Sequence, residues 1–509
     1  MNQQQTTNEQ LQMIVNSKTL SAFRIPAGGA PDPAGACGTR VTPTRSESPT
    51  IPGVFSRVSS SSGPAYPLRD ILLRMPLANP SQRISLFCIF CAFSSAAAVA
   101  QSTHYSVKLE PDFERQLLRG DETIEFQADA GEIEWQKQGG LRVVSANIAN
   151  GEVTVAEQAM RVRLRSGGRH SLKLKYTAAA GRGIQWFAGA APQREYSRDS
   201  GFATAFYCDA WMVCDNSPGQ RATLRLEIVI PSKEGGNMGF RAVGPGRRGR
   251  EWRSRDGDHF VFEQGDPVQT YLFSFGAARL AVALDGMFSI YAQRMDANKA
   301  AFAKTADAYD FLRAAASVDP LNSHYTQAFM PGRSMGQEAA GMVLMSQDDL
   351  SHLVDKDDVQ LMTHEMAHQW WGVTLGIRSW SDFWLNEGFA EFMSDAYIEK
   401  HLGRAAYDKQ IAELQERMKK LCEEGKDRPL HWEKWKDAHE ALGQIPYVKG
   451  ALFLDRLRTE LGDEIFWRGI GSYTSENARR LVDSRDFERA MEMASGRDLK
   501  TLFDEAVYR

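Results

Sequence analysis

Histidine, cysteine and long apolar runs are all scarce in this sequence. Its 509 residues include 10 histidines and 6 cysteines. None of Cys208, Cys214 and Cys422 has the spacing of a thiolate metal site, and Cys88 and Cys91 lie inside an apolar run, so a zinc site of that kind is not expected. The net charge of -4 shows no strong excess of either sign, so bulk charge implies no particular partner. A hydrophobic fraction of 43% and a charged fraction of 24% are ordinary for a globular protein of two or three domains.

The first hundred residues differ from the rest of the chain. Residues 1–74 are polar or rich in Gly, Pro, Ser and Thr without apolar periodicity, which predicts disorder. Residues 75–100 resemble a secretory signal peptide, with a basic start ending at Arg83, a run of about seventeen apolar residues and a small-residue site before Gln101. We therefore expect translation to start at Met75, residues 1–74 to be a start-site artefact, and the protein to be periplasmic or secreted. An uncleaved membrane anchor is the alternative, although the run is short for a membrane span.

Removal of the leader leaves Cys208, Cys214 and Cys422. An exported chain meets an oxidising compartment, in which Cys208 and Cys214 can pair locally and leave Cys422 as a free thiol. Three reduced cysteines serving as small apolar residues are the other interpretation.

The scarce histidines include a metal-binding pattern. THEMAH places His364 and His368 four residues apart, with Glu365 beside the first. After eighteen intervening residues, WLNEGFAE supplies Glu387. Helical residues four apart share one face, so both imidazoles reach one ion. Glu365 is turned around the helix, which suits a base acting on a water at the metal. Two imidazoles and the carboxylate of Glu387 leave one position open, which predicts one catalytic Zn2+ per chain.

This joint pattern resembles the M1 family of zinc metallopeptidases, of the membrane alanyl aminopeptidase and leukotriene A4 hydrolase type. The resemblance runs from Tyr105 to Arg509. It implies an α+β multidomain fold, with an N-terminal antiparallel β domain at 104–285 and a mainly helical, thermolysin-like zinc catalytic domain at 290–509. Family members continue into a further β module and a large helical domain. We expect this chain to lack that helical domain and to have a more open cleft.

Period-two alternation supports the β domain. The runs YSVKLEP, DETIEFQAD, RVRLRS, HSLKLKYT, ATLRLEIVIP and QTYLFSF are predicted to be strands, and Asp296 to Ser317 a helix that begins the catalytic domain. Five arginines lie between two of these strands: Arg247, Arg248, Arg250, Arg253 and Arg255. Nearby acidic residues favour a solvated hairpin tip, so we expect no nucleic-acid partner.

The resemblance assigns two more site residues. Family members carry a GAMEN-like strand whose glutamate holds the free amine of the substrate; here GQEAAG keeps that residue as Glu338 but lacks the neighbouring Met and Asn. The other amine-side anchor of the family, a Gln or Glu, falls at Thr204, which weakens the expectation of a strict free-amine requirement. The PYxKG motif of the family appears as PYVKG, and implies that Tyr447 donates to the oxyanion of the reaction intermediate.

Spacing suggests supporting roles around this site. Glu391 lies one helical turn after Glu387 and is placed to accept the second ring N–H of a ligand histidine. A solvent-facing glutamate is the alternative. Four tryptophans flank the motifs, at Trp370, Trp371, Trp380 and Trp384. We interpret them as core rather than as pocket lining.

The sequence thus predicts zinc-dependent hydrolysis of peptide bonds, with release of N-terminal amino acids from a peptide substrate. Glu365 is the expected general base and Tyr447 the oxyanion donor. One alternative is a zinc endopeptidase with relaxed recognition of the N-terminus, and another is a non-catalytic peptide-binding protein. Side-chain specificity, the physiological substrate and the oligomeric state have no signal in the sequence. No stable membrane span is expected after cleavage of the signal peptide.

Overall fold

The computed structural model describes residues 103–181, 183–187, 201–204, 207–232, 239–293, 298–331, 336–435 and 438–509. The predicted disordered segment 1–74 and the predicted leader 75–100 lie outside these residues. Both therefore stay predictions.

The N-terminal half is β-rich because its apolar and polar residues alternate with period two. Its strands, in chain order, are β1 Thr103–Asp112, β2 Leu117–Ala128, β3 Gly131–Gln136, β4 Leu141–Ile148, β5 Gly151–Val155, β6 Ala159–Leu164, β7 Gly168–Ala179, β8 Ile184–Phe187, β9 Gly201–Thr204, β10 Arg221–Pro231, β11 Phe240–Val243, β12 Arg247–Arg253, β13 Gly257–Gln269 and β14 Gly276–Arg279. Three sheets result, in the orders β12-β13-β10-β1-β2-β7-β4, β11-β14-β9-β8 and β3-β6-β5. Strand β2, for example, buries every second side chain. The predicted β domain is confirmed, although β1 and β10 form a parallel pair within it.

One predicted strand is wrong. QTYLFSF was expected to close the β domain as a strand, but Thr270–Leu272 forms a 3-10 helix. Every residue from 269 to 275 is buried, so this run has no exposed face and lacks the alternation of a half-buried strand. Other hydrogen bonds take the place of backbone pairing with a neighbouring strand. One of them runs from the Thr270 hydroxyl to the carbonyl oxygen of Asp215 at 2.5 Å.

A mixed sheet follows the β-rich part. Its strands are β15 Ala281–Asp285, β16 Phe288–Ala292, β17 Tyr325–Met330, β18 Gly336–Ala339 and β19 Met342–Ser346. Their order is β15-β16-β17-β19-β18, with β18 antiparallel to β19 at the edge. The predicted boundary between residues 285 and 290 stays a prediction, and it falls within the β15–β16 hairpin.

The remainder is mainly helical, as predicted for a catalytic domain of this fold class. The helices are α1 Asn298–Ala316, α2 Gln347–Asp355, α3 Gln360–Ala367, α4 Trp384–Leu402, α5 Arg404–Glu423, α6 Ala438–Ala441, α7 Gln444–Leu461, α8 Asp463–Glu476, α9 Ser484–Ser495 and α10 Lys500–Ala506. A short two-stranded sheet joins β20 Gly376–Ile377 to β21 Leu481–Val482. Local signals set several helix ends: Ser346 and Asp349 form a capping box on α2, and Gly496 ends α9 in a left-handed conformation.

The four tryptophans predicted to be core residues are all buried. Trp371 stacks on Phe389 with ring centroids 5.5 Å apart. The Trp384 indole N–H donates to the Ser484 hydroxyl at 2.9 Å. These contacts join the end of α3, the start of α4 and α9, and they fix the two helices that carry the metal-binding motif relative to each other.

Two further predictions concern the β-rich part. Cys208 and Cys214 form a disulfide, with Cα atoms 6.3 Å apart. Among the predicted arginines at the hairpin, Arg253 bonds to Asp258 and Arg248 pairs with Glu251 at 2.7 Å. The basic hairpin is largely neutralised by its own acidic neighbours.

Within the part of the chain that the structure describes, no helix is both long enough and apolar enough to span a bilayer.

Candidate metal centre

Two helices supply the predicted metal ligands. His364 lies in the last turn of α3, and His368 follows directly after its final residue with helical backbone angles. Glu387 lies in the first turn of α4. The four-residue spacing therefore puts both imidazoles on one face, and the return through β20 brings the carboxylate to that face.

The ligand atoms converge on one point. The Oε2 atom of Glu387 lies 3.4 Å from Nε2 of His364 and 3.5 Å from Nε2 of His368. All three side chains are buried, and the second carboxylate oxygen of Glu387 has no hydrogen-bond partner. A buried carboxylate with an unpartnered oxygen is costly unless a cation faces it.

The charges at this point are strongly coupled. Burial alone would raise the pKa of Glu387, but His368 and His364 lower it to about 2. Burial alone would lower the pKa of His368, yet Glu387 and Glu338 raise it to about 9. The protein thus surrounds two imidazoles with negative charge, a setting that favours a bound cation over neutral rings.

Further contacts orient the imidazoles. Nδ1 of His368 donates to the carbonyl oxygen of Trp371 at 3.2 Å. Nδ1 of His364 lies 3.2 Å from Glu391, whose other oxygen lies 3.6 Å from Arg417. Both Nε2 atoms are thereby left to face Glu387, which is the tautomer that a metal ligand needs. Glu391 lies where the sequence predicts, and its role stays a prediction.

Glu365 projects beside the ligands toward strand β18. Burial raises the pKa of this carboxyl to about 7, although His364 and His368 oppose the shift. One of its oxygens has no hydrogen-bond partner. A methyl group on Gly336 would collide with the other oxygen. The start of β18 must therefore be glycine for the Glu365 carboxyl to take this position.

Tyr447 comes from helix α7, which crosses α4 closely. A Cβ added to Gly450 would lie 2.7 Å from the Cα of Gly388, so the glycine of PYVKG packs on the glycine of LNEGF. The crossing stacks the Tyr447 ring on His364, with centroids 5.9 Å apart and planes 8° apart. Burial and neighbouring carboxylates raise the pKa of Tyr447 well above its ordinary value, and its hydroxyl stays protonated.

Glu338 lies on β18, as the resemblance predicts. It is 3% exposed, and one of its oxygens has no partner. Gln337 donates to the other oxygen at 3.2 Å. Carboxylate oxygens of Glu338 and Glu365 and a ring nitrogen of His368 all lie within 4.8 Å of one another. Burial and the charges of Glu387 and Glu365 raise the pKa of Glu338 well above its ordinary value, despite His368.

The predicted residues therefore meet in one place, and their donor set fits zinc. Two imidazole nitrogens and one carboxylate are the protein ligands typical of a catalytic zinc site. The unpartnered oxygen of Glu387 is the structural sign that a cation belongs there.

Sequence reasoning missed residues that connect the β-rich part to this centre. The Asn386 amide donates to the Tyr271 hydroxyl at 2.6 Å, and the Leu272 carbonyl accepts from Ala340 N–H at 3.2 Å. Both links start from the 3-10 helix that was expected to be a strand, and no periodic pattern marks them. Thr204 ends β9, and the consequence of its departure from the family pattern stays a prediction.

Comparison with known proteins identifies the helical part. Residues 320–505 match the Peptidase family M1 domain. Leucine aminopeptidase 2 of Aspergillus oryzae is 25% identical over 327 residues, which are 60% of this chain and 51% of that protein. Aminopeptidase B of Mus musculus is 24% identical over 65% of this chain and 51% of its own length. The chain thus spans about half the length of these curated relatives.

Solved structures share the fold over more of the chain. The M1 zinc metallopeptidase of Deinococcus radiodurans has a TM-score of 0.65 and 21% identity, covering 80% of this chain and 94% of that one. The yeast LTA4 hydrolase bound to bestatin has a TM-score of 0.67 and 18% identity, covering 80% and 66%. Residues 320–505, which include the metal-binding helices, therefore carry a Peptidase family M1 domain, and the chain shares its fold with these solved structures over 80% of its length.

Proposed function

We propose that this chain is a zinc metallopeptidase that releases N-terminal amino acids from peptides. The observation that carries the proposal is the convergence of His364, His368 and Glu387 within reach of the buried carboxylates of Glu365 and Glu338. When bound by the three ligands, zinc supplies Lewis-acid chemistry, which polarises a carbonyl group.

Glu365 acts as the general base and then as the general acid. Burial raises the pKa of this carboxyl above its ordinary value, which favours a group that takes a proton from water and returns it to the leaving amine. Its unpartnered oxygen, buried beside the ligands, is available to a water molecule. Gly336 leaves the space in which this carboxyl sits.

Tyr447 and Glu338 act on opposite parts of the substrate. The neutral phenol of Tyr447 donates to the carbonyl oxygen as negative charge develops there. Glu338 holds the substrate α-ammonium, because an ammonium supplies the cation that its buried carboxylate otherwise lacks. Support also comes from a relative of the same fold, since the Deinococcus metallopeptidase has been solved with a Tyr-Ser-Ala substrate.

The test uses the full chain loaded with zinc and one peptide, supplied with a free or an acetylated N-terminus and followed by mass spectrometry. We expect stepwise loss of residues from the free peptide alone. Internal cleavage of both peptides would instead favour an endopeptidase, as the altered GQEAAG sequence and Thr204 would permit.

The matched variant is Glu365→Gln, which keeps the shape of the side chain but not its basicity. We expect a loss of about 10²-fold to 10⁴-fold in kcat with zinc still bound at one ion per chain. Zinc-loaded wild-type protein that binds peptides but hydrolyses none would favour the non-catalytic alternative.

Export is the second part of the proposal. Residues 75–100 have the pattern of a signal peptide, so sequencing of the exported protein is expected to begin at Gln101. Recovery of a form that retains residues 75–100 in the membrane fraction would favour the anchored alternative.

A further inference from the structure

One side chain of the metal-binding motif, Gln369, bonds to the hairpin that follows Glu338. The Gln369 amide donates to the carbonyl oxygen of Ala339 at 3.1 Å and accepts from the N–H of Gly341 at 2.9 Å. These two backbone groups flank Ala340, in the turn that links β18 to β19. Gln369 therefore bonds to the backbone on both sides of the turn that follows Glu338, the proposed amine anchor.

Gln369 is itself fixed next to a metal ligand. It follows His368 in the chain, and its N–H donates to Met366 O at 3.0 Å. Its carbonyl oxygen accepts from the Thr374 hydroxyl at 2.7 Å. The side chain is 3% exposed, so water does not compete for its amide. Both ends of the connection are rigid, one at the metal-binding motif and one at the hairpin.

The connection is a direct one between the two halves of the proposed site. Glu338 precedes Ala339, and His368 precedes Gln369, so the bond between Gln369 and Ala339 joins two residues that each directly follow a residue of the site. Other bonds hold the turn from the β-rich part, through Leu272 and Gly246. Those bonds place the turn in the protein, whereas the Gln369 amide sets its distance from the metal ligands.

We propose that Gln369 is a positioning residue that fixes the separation between Glu338 and the metal ligands, and thereby selects substrates with a free α-amine. The inference rests on the proposed function and deepens it. A peptide bound by its terminal ammonium must present its first carbonyl to the metal. The distance between Glu338 and the metal ligands therefore determines that the first peptide bond, and not an internal one, lies at the metal.

The test is Gln369→Met in the full zinc-loaded chain, which keeps side-chain length but removes both hydrogen bonds. For the free-amine peptide we expect KM to rise about tenfold or more, since two buried backbone groups lose their partners and the turn relaxes. The acetylated peptide should stay uncleaved, and the zinc content should stay unchanged. Calorimetry measures the affinities of the protein for leucine amide and for its N-acetyl form. Their ratio gives the preference for a free amine without turnover.

Two more variants separate positioning from general support. Gln369→Glu keeps an acceptor for Gly341 but places a carboxylate against the carbonyl oxygen of Ala339, and the same loss of discrimination is expected. Thr305→Val removes buried hydrogen bonds to the Ala301 carbonyl and the Gln327 side chain without touching Gln369 or the turn, and should lower stability while KM stays at the wild-type value.

The outcomes are distinct. A wild-type protein that discriminates between free and acetylated ligands, with Gln369 variants that discriminate equally well, overturns the inference and leaves the proposed function standing. Loss of zinc in the Gln369 variants, with KM unchanged, also overturns it in favour of a purely structural role. A wild-type protein that treats both ligands alike overturns the proposed aminopeptidase function and this inference together.

Discussion

Gly336 shows how one residue sets the position of Glu365, the proposed general base. A Cβ at this position would overlap the Glu365 carboxylate and lie 2.9 Å from its Cδ atom. Gly336→Ala is therefore expected to displace Glu365 and lower kcat by about 10²-fold. Zinc content, measured by atomic absorption, should not change, because the added methyl group meets Glu365 and Leu361 and none of the three ligands.

The control for that substitution is Gly265→Ala, where an added Cβ has no neighbouring atom within 4 Å. It should leave kcat at the wild-type value. Full activity in Gly336→Ala would mean that a displaced Glu365 still supports catalysis. The assignment of Glu365 as the general base would then be wrong.

At the level of single residues, the sequence was informative where chemistry is local. His364, His368 and Glu365 lie within five consecutive residues, so helical periodicity alone predicts their arrangement. The contacts of Gly336 with Glu365 and of Gln369 with the β18–β19 turn cross between a helix and a sheet. Spacing along the chain does not encode such contacts, and both were missed.

At the level of elements, the crossing of α4 and α7 determines where Tyr447 lies. Gly450→Ala would push its new methyl group against the backbone of Gly388. The two helices must then separate, which we expect to cost about 1–3 kcal/mol of folding free energy. Because Tyr447 lies one turn before the crossing, kcat should fall as well, and thermal unfolding together with kinetics measures both effects.

Gly443→Ala is the matched control, since this residue precedes the same helix and an added Cβ would meet no atom closer than 3.8 Å. Its effects on both quantities should be small. Wild-type activity in Gly450→Ala would show that Tyr447 does not depend on the close crossing.

Elements were predicted well where one face is buried and the other exposed. Strand β2 and the alanine-rich helix α1 both have that pattern, and both were found close to their expected bounds. The segment from Gln269 to Phe275 is buried on all sides between the β-rich and helical parts. This run was predicted to be a strand from period-two alternation, which its uniform burial does not show. Hydrogen bonds of Thr270 and Tyr271 to other parts of the chain accompany the 3-10 helix that forms instead.

At the level of the whole molecule, the stability of the fold is linked to pH through Glu122. This residue of β2 is 1% exposed. One of its oxygens accepts from the N–H of Val213, beside the disulfide, at 3.0 Å, and the other has no partner. Burial raises its pKa from 4.5 to about 8, although the bond from Val213 opposes the shift. The folded protein therefore holds a proton on Glu122 that the unfolded chain releases at lower pH.

The sign of the linkage follows from this raised pKa. The stabilisation by the bound proton is complete below the unfolded pKa of 4.5 and is lost as the pH rises through about 8. Glu122→Gln is neutral throughout and keeps an oxygen that accepts from Val213. We expect urea unfolding to show the variant similar to wild type near about pH 5 and more stable, by on the order of a few kcal/mol, near about pH 8.

Glu125→Gln, an exposed position on the same strand, is the control and should leave the pH dependence as it is in the wild type. Parallel stability curves for wild type and Glu122→Gln would mean that Glu122 is already ionised in the folded protein. In that case a cation must reach its second oxygen, because an ionised carboxylate buried beside an apolar sheet core is otherwise too costly to persist.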